Sequence, residues 1–136
     1  DVRALQFAKG AISTGIETAM RALGLRAADL DEVMLAGSFG SYINPVSARV
    51  VGLVPPVPAD KIKAVGNTAS EGAKMALMSF REREVAFEIP TIVEYIELSG
   101  EPDFNDRFIG NLGFPTAAEL DQAEADHAAR VAGDAT

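Results

Sequence analysis

Cysteine and tryptophan are absent from the 136 residues, and histidine occurs once, at position 127. Without cysteine there is no disulfide framework, thiolate nucleophile, Cys-ligated zinc or Cys-ligated iron–sulfur cluster in this chain. The lone imidazole sits in an acidic stretch. Asp121, Glu124 and Asp126 beside it read as a solvated segment rather than a metal site, and no metal ligands are assigned. Basic residues are scarce, 12 against 20 acids, for a net charge of −8. A chain this acidic has no stripe for a phosphate backbone, so nucleic acid is excluded as a partner. No apolar run approaches a membrane span and no signal-peptide pattern is present, which implies no membrane partner and a cytoplasmic setting.

What is present is the balance of a globular domain: 48% hydrophobic and 24% charged residues. The length suits one domain. Residues 117–136 hold five acids and one base, so the rest is only mildly acidic. Asp1 in place of Met makes the chain read as a piece of a longer protein.

Leu5, Ala8, Ile12, Ile16, Met20 and Leu23 recur at helical spacing and predict a helix over 2–24, ended by Gly24. Gly10 and Gly15 each weaken it by roughly 1 kcal/mol relative to Ala unless another element packs closely there. Glu32–Ala36 reads as a short buried strand, parallel in its sheet. Asn44-Pro45 opens a helix to about Gly52. Three prolines within Pro55–Pro58 force an extended connection. Lys61–Val65 reads as a second strand. Thr68 and Glu71 read as a capping box for a helix over 69–80, with Ala69, Ala73, Ala76, Leu77 and Phe80 on its apolar face. Helix is expected to continue to Pro90, followed by a strand over Thr91–Leu98 and a short helix over Asp103–Leu112. The alternation predicts an α/β fold, a sheet flanked by helices. Residues 1–115 form its body and 116–136 an Ala-rich acidic tail, partly helical or disordered.

Two junctions draw the eye. In the first, a strand runs into Gly37-Ser38-Phe39-Gly40 and a helix follows. Loops of this kind lie at the carboxyl ends of strands, where α/β sheets bind ligands, and glycine lets backbone N–H groups approach them. The plainer reading is a tight turn with Phe39 plugging the core. In the second, Gly66-Asn67-Thr68 leads into a helix N-terminus lined with small polar residues, receptive to an anion. The plainer reading is again a well-capped helix, whose Gly72 and Ala73 allow close packing against the sheet. No carboxylate pair has catalytic spacing, and no catalytic residue is assigned. Arg49 and Lys74 either face an anion or run along the surface.

The segments Gln6-Phe7-Ala8-Lys9, Leu35–Gly40, Gly52–Pro58, Val65–Ala73, Tyr95–Leu98, Pro102–Phe104, Phe108 and Phe114-Pro115 together resemble the C-terminal region of the reductive activators of corrinoid proteins. The resemblance covers about residues 2–115. It implies one lobe of an actin-like (ribonuclease H-like) ATPase fold, of the superfamily of acetate and sugar kinases, chaperones and actin. The implied parent is a larger iron–sulfur protein that uses ATP with Mg to help reduce a Co(II) corrinoid to Co(I), returning its corrinoid protein partner to methyl transfer. Its two-iron, two-sulfur cluster would sit in an N-terminal domain. By this resemblance Gly37, Ser38, Phe39 and Gly40 match the adenosine-contacting turn, and Gly66, Asn67 and Thr68 the last strand-to-helix turn. The superfamily's phosphate hairpins and catalytic carboxylate lie upstream. This chain alone is therefore expected to be inactive and to hold no cofactor. An alternative is a non-catalytic interaction or dimerisation module that kept the fold. A sugar-kinase fragment is a third reading, without a visible sugar-binding Asp or phosphate loop.

Overall fold

The computed structural model describes residues 1–134, with the side chains of Phe39, Ser99 and Asp134 outside the description. Helix α1 spans Val2–Ala22. A 3₁₀ turn at Ala27–Asp29 leads to β1 (Val33–Ala36), the single turn α2 (Gly37–Gly40) and α3 (Pro45–Val50). A second 3₁₀ turn precedes β2 (Ile62–Gly66), followed by α4 (Thr68–Met78) and α5 (Phe80–Ile92). A third, at Leu98–Gly100, precedes α6 (Phe104–Gly110) and α7 (Ala117–Asp134).

β1 and β2 pair in parallel, Val33 opposite Ile62 and Leu35 opposite Ala64. The register then steps past Val65, so that Ala36 faces Gly66. Val33 and Leu35 turn to a core of Ala48, Val54, Val57 and Ile62, joined by Leu30, Ile43 and Leu53. The prolines of the 55–58 connection thus serve to press Val54 and Val57 under the sheet. The strand is not buried on both faces as expected: Met34 is 64% exposed, because the helices packed on β1 here leave its other face bare.

Two helices end in the same way. Gly24 (φ +68°) donates to the Arg21 carbonyl while Leu25 donates to Met20, and Gly52 (φ +69°) donates to Arg49 while Leu53 donates to Ala48. Both are Schellman closures, which call for the left-handed conformation that glycine adopts without strain.

Several expectations need correction. α1 buries Lys9, Gly10, Thr14 and Thr18 rather than its apolar stripe; Leu5 and Ile12 are about half exposed. The buried face is the one small enough to meet α6. A Cβ on Gly10 would stand 3.2 Å from Leu112 and 3.4 Å from Phe108. Thr14 and Thr18 return their hydroxyls to the carbonyls of Gly10 and Thr14, and Arg107 of α6 and Asn111 at its C-cap reach across to them.

The second half departs further. α4 is capped by Asn67, whose side chain accepts from the Ser70 amide at 3.1 Å; Thr68 is already helical and cannot cap. The helix breaks at Ser79, which ends α4 and caps α5 in one extended residue. The expected apolar face of α4 is left largely uncovered by the described residues: Leu77 and Phe80 are 77% and 81% exposed. α5 continues through Pro90 to Ile92, because a proline so near the end forfeits a single hydrogen bond. Thr91–Leu98 forms no strand. Its alternation supplies side chains for two faces, but a strand needs a backbone to pair with, and none lies alongside. α7 opens on a capping box at Thr116 and Glu119 that the sequence reading missed. It packs on the turn at Ala27–Asp29, and His127 is buried, contrary to the solvated placement expected.

Candidate functional site

The parallel register brings the two glycine junctions together. Ala36 and Gly66 end neighbouring strands side by side, and α2 lies against both strands. Segments 37–40 and 66–68 therefore stand at one carboxyl edge of the sheet. Each glycine serves a different need. Gly37 (φ +88°) and Gly66 (φ +71°) hold left-handed turns, with open space where a Cβ would point. Gly40 is required by contact: a Cβ there would sit 2.7 Å from the carbonyl carbon and oxygen of Leu35. The α2 turn is thus folded directly back on the strand it leaves. Ser41 closes it, donating from its amide and hydroxyl to the Gly37 carbonyl, each at 3.3 Å.

Ser38 and Thr68 are exposed, while Gly40 is buried. Asn67 spends its side-chain oxygen on the α4 cap. The first amides of α4 have no intrahelical acceptor by construction, and the helix dipole places partial positive charge there. Neither junction carries a charged side chain of its own; Glu71, one turn along, pairs with Lys74. The edge offers backbone donors and hydroxyls around open space, suited to a planar polar ligand and without the cations that clamp a triphosphate. Phe39, expected as either plug or contact, lies outside the described side chains.

Arg49 and Lys74 are each held by a carboxylate. Arg49 pairs with Glu124 at 2.8 Å and donates to the Leu120 carbonyl at 2.9 Å, tying α3 to α7. Lys74 is taken by Glu71. Among the described residues no group of three or more His, Cys, Asp or Glu is placed to hold a metal, the 121–127 stretch included. No helix there is long and apolar enough to cross a membrane.

Sequence reasoning passed over a polar seam between α1 and α6. Arg107, its side chain 11% exposed, donates to Thr18 at 2.9 Å and pairs with Asp103 at 2.9 Å. Asp103 also takes Arg21, whose hydrogen bond holds the carboxyl below the ordinary range. Asn111 bridges Thr14 and Glu17. Lys9 is buried beside this seam, its ammonium donating to the Gly113 carbonyl. The signal was Lys9-Gly10 followed by threonines four apart, which give α1 a second, polar face.

The parallel strand pair with helices on its flank is that of an α/β lobe, and comparison with known families makes it an actin-like, or ASKHA, one. The family model for the C-terminal domain of RACo, the ASKHA domain, matches residues 1–124. The chain belongs to that family. It is 38% identical over 114 residues to the corrinoid activation enzyme RamQ of Eubacterium limosum, covering 84% of this chain and 19% of that protein. A solved structure, a reductive activator for corrinoid, iron–sulfur protein, superposes with a TM-score of 0.75 at 34% identity, over 83% of this chain and 18% of that one. The chain thus spans about a fifth of the length of either.

Proposed function

We propose that the chain is the nucleotide-contacting C-terminal lobe of a longer ATP-dependent activator that returns a corrinoid protein from Co(II) to Co(I). Gly37, Ser38, Phe39 and Gly40, with Gly66, Asn67 and Thr68, form one wall of its adenosine site. One observation carries this reading: the register that sets Ala36 opposite Gly66 merges both turns into a single edge. The directions in which a Cβ would point at Gly37 and Gly66 are free of other atoms to 4 Å, and the absence of a Cβ at Gly40 lets the α2 turn lie against Leu35, which supports a ligand approaching this edge.

ATP with Mg would be gripped from the far side by residues outside this chain, which contributes no phosphate clamp at the edge. A thiolate-held cluster has no ligand here, since cysteine is absent. A two-iron, two-sulfur centre belongs, in this reading, to another domain of the parent, and no electron passes through these residues. Their part is binding. Nucleotide held between two lobes favours the closed arrangement by its differential affinity, and that bias is what couples ATP to docking on the corrinoid protein. The lobe proper is residues 1–115, with 116–136 appended as a bracing segment, and the parent works in the cytoplasm.

The test is an ATP–Mg titration of the full-length protein and of Ser38→Phe and Gly37→Val variants. Ser38 is exposed and a Cβ at Gly37 would point into open space, so both changes cover the approach to the edge; Gly37→Val carries in addition the strain of a left-handed φ of +88°, so Ser38→Phe is the deciding variant. At least ten-fold weaker binding is expected. Wild-type affinity in both variants would remove the adenosine assignment.

A second reading has its own support. The α4–α5 pair exposes Met78, Phe80, Phe87 and Ile92 by more than three quarters. An interaction or dimerisation module would use such a face. It predicts concentration-dependent mass in the full-length protein and no ATP binding at the glycine edge.

A further inference from the structure

A cleft of about 340 Å³ opens between α1, the end of α3, Pro55-Pro56 and the Gly113–Pro115 turn. Neither glycine junction lines it, so nothing argued here rests on the nucleotide reading. Lys9 is 2% exposed and lies on the wall of this cleft. Its ammonium has three donors. One goes to the Gly113 carbonyl, and the Phe114 ring centroid lies 5.5 Å away.

The other charged groups of the cleft have partners of their own. Glu17 accepts from Asn111 at 3.1 Å, Glu119 accepts from the amide and hydroxyl of Thr116 at 2.7 Å, and Arg49 pairs with Glu124. Among the described residues no carboxylate pairs with Lys9. Burial accordingly pulls its amine below the ordinary lysine range, with no compensating charge. A buried cation left without a counterion is costly, and a ligand that supplies one recovers that cost. Room beside the amine is kept by Gly52, where a Cβ would stand 3.4 Å from Nζ and 2.9 Å from Pro115.

The rest of the wall selects the anion. Ile16, Met20, Pro56 and Phe114 are apolar, while Glu17 and Glu119 also line the cleft and repel a dianion more strongly than a monoanion. We infer that this cleft binds a small organic monocarboxylate, its carboxylate on Lys9 Nζ and its apolar body against Ile16, Met20 and Phe114. Inorganic phosphate has the wrong charge and no apolar body for such a wall.

Benzoate titrated calorimetrically into the full-length protein tests this, with benzyl alcohol as the neutral isostere and inorganic phosphate as competitor. Saturable one-to-one binding is expected, at least ten-fold weaker for Lys9→Met and for benzyl alcohol, and unaffected by phosphate. Where Lys9→Met does not fold, lysine Nζ NMR of the wild type decides: benzoate should shift the Lys9 signal and leave Lys61, Lys63 and Lys74 in place. The inference is overturned by absence of saturable binding, by equal affinity in folded Lys9→Met, by benzyl alcohol or phosphate binding as well as benzoate, or by an unmoved Lys9 signal.

Discussion

Three alanine substitutions for glycine, at positions 40, 37 and 72, should separate three physical reasons for a residue without a side chain. At Gly40 a Cβ would meet the Leu35 backbone at 2.7 Å, where ordinary contact begins near 3.4 Å, so turn and strand must part by most of an ångström. Overpacking of this kind costs about 1–3 kcal/mol. At Gly37 space is open, but φ of +88° strains any L side chain, at about 1–2 kcal/mol. At Gly72, inside α4 with nothing within 4 Å, alanine should stabilise by about 1 kcal/mol through helix propensity. Urea unfolding of the full-length protein, with amide exchange read on β1 and α4, measures all three. With a slope of about 2 kcal/mol per molar, a 2 kcal/mol loss moves the midpoint by about 1 M. A Gly40→Ala protein as stable as wild type would refute the close return of α2 onto β1. Loss of stability in Gly72→Ala would mean that α4 has a partner on that side.

Asn67→Ala should cost about 1 kcal/mol by removing the α4 cap, read as faster amide exchange at Ser70, whereas Thr68→Ala should leave that exchange unchanged. Arg107→Met should destabilise by about 2 kcal/mol, leaving Thr18 and Asp103 without their shared donor; an unchanged melting temperature would show that the α1–α6 seam is not formed. Asp103, Asp29 and Glu119 are held below their ordinary ranges by Arg21, by Arg26 and by the Thr116 amide respectively. Depressed carboxyl groups contribute stability above their unfolded values and lose it as pH falls through the folded ones, so an acid melt should steepen below the ordinary carboxylate range and flatten in Asp103→Asn. Lys9 works in the opposite sense. Its depressed amine disfavours folding at neutral pH, and the penalty is relieved as pH rises toward the unfolded lysine value, a rise that Lys9→Met should abolish.

Local chemistry made part of this fold legible. Asn44-Pro45, Gly24, Gly52 and the proline run each dictate backbone geometry within a few residues, and the structure places α3, both Schellman closures and the extended connection where they point. The strand-to-helix junctions were equally readable as positions. That they meet was not, because adjacency depends on the β1–β2 register, a pairing between residues about thirty apart. Three misreadings share one cause. The α1 stripe, the α4 face and the Thr91–Leu98 alternation all describe surfaces that want cover, and periodicity cannot tell whether the cover lies in the same chain. Lys9 was hidden for a related reason: a cation in a helix reads as solvated until the element that buries it, the Gly113–Pro115 turn, is known to return there.

Ser79 joins two helices with one extended residue between them, leaving no slack in the link. At 1.5 Å per residue, α4 is about 16 Å long and α5 about 20 Å. A tilt of about five degrees at Asn67 would carry the elbow at Ser79 by roughly 1.4 Å, and α5 would travel with it. The glycine edge and the exposed apolar side chains beyond Ser79 are thus joined through one helix, α4, with the Arg83 hydrogen bond to the Ala76 carbonyl tying α5 back onto it.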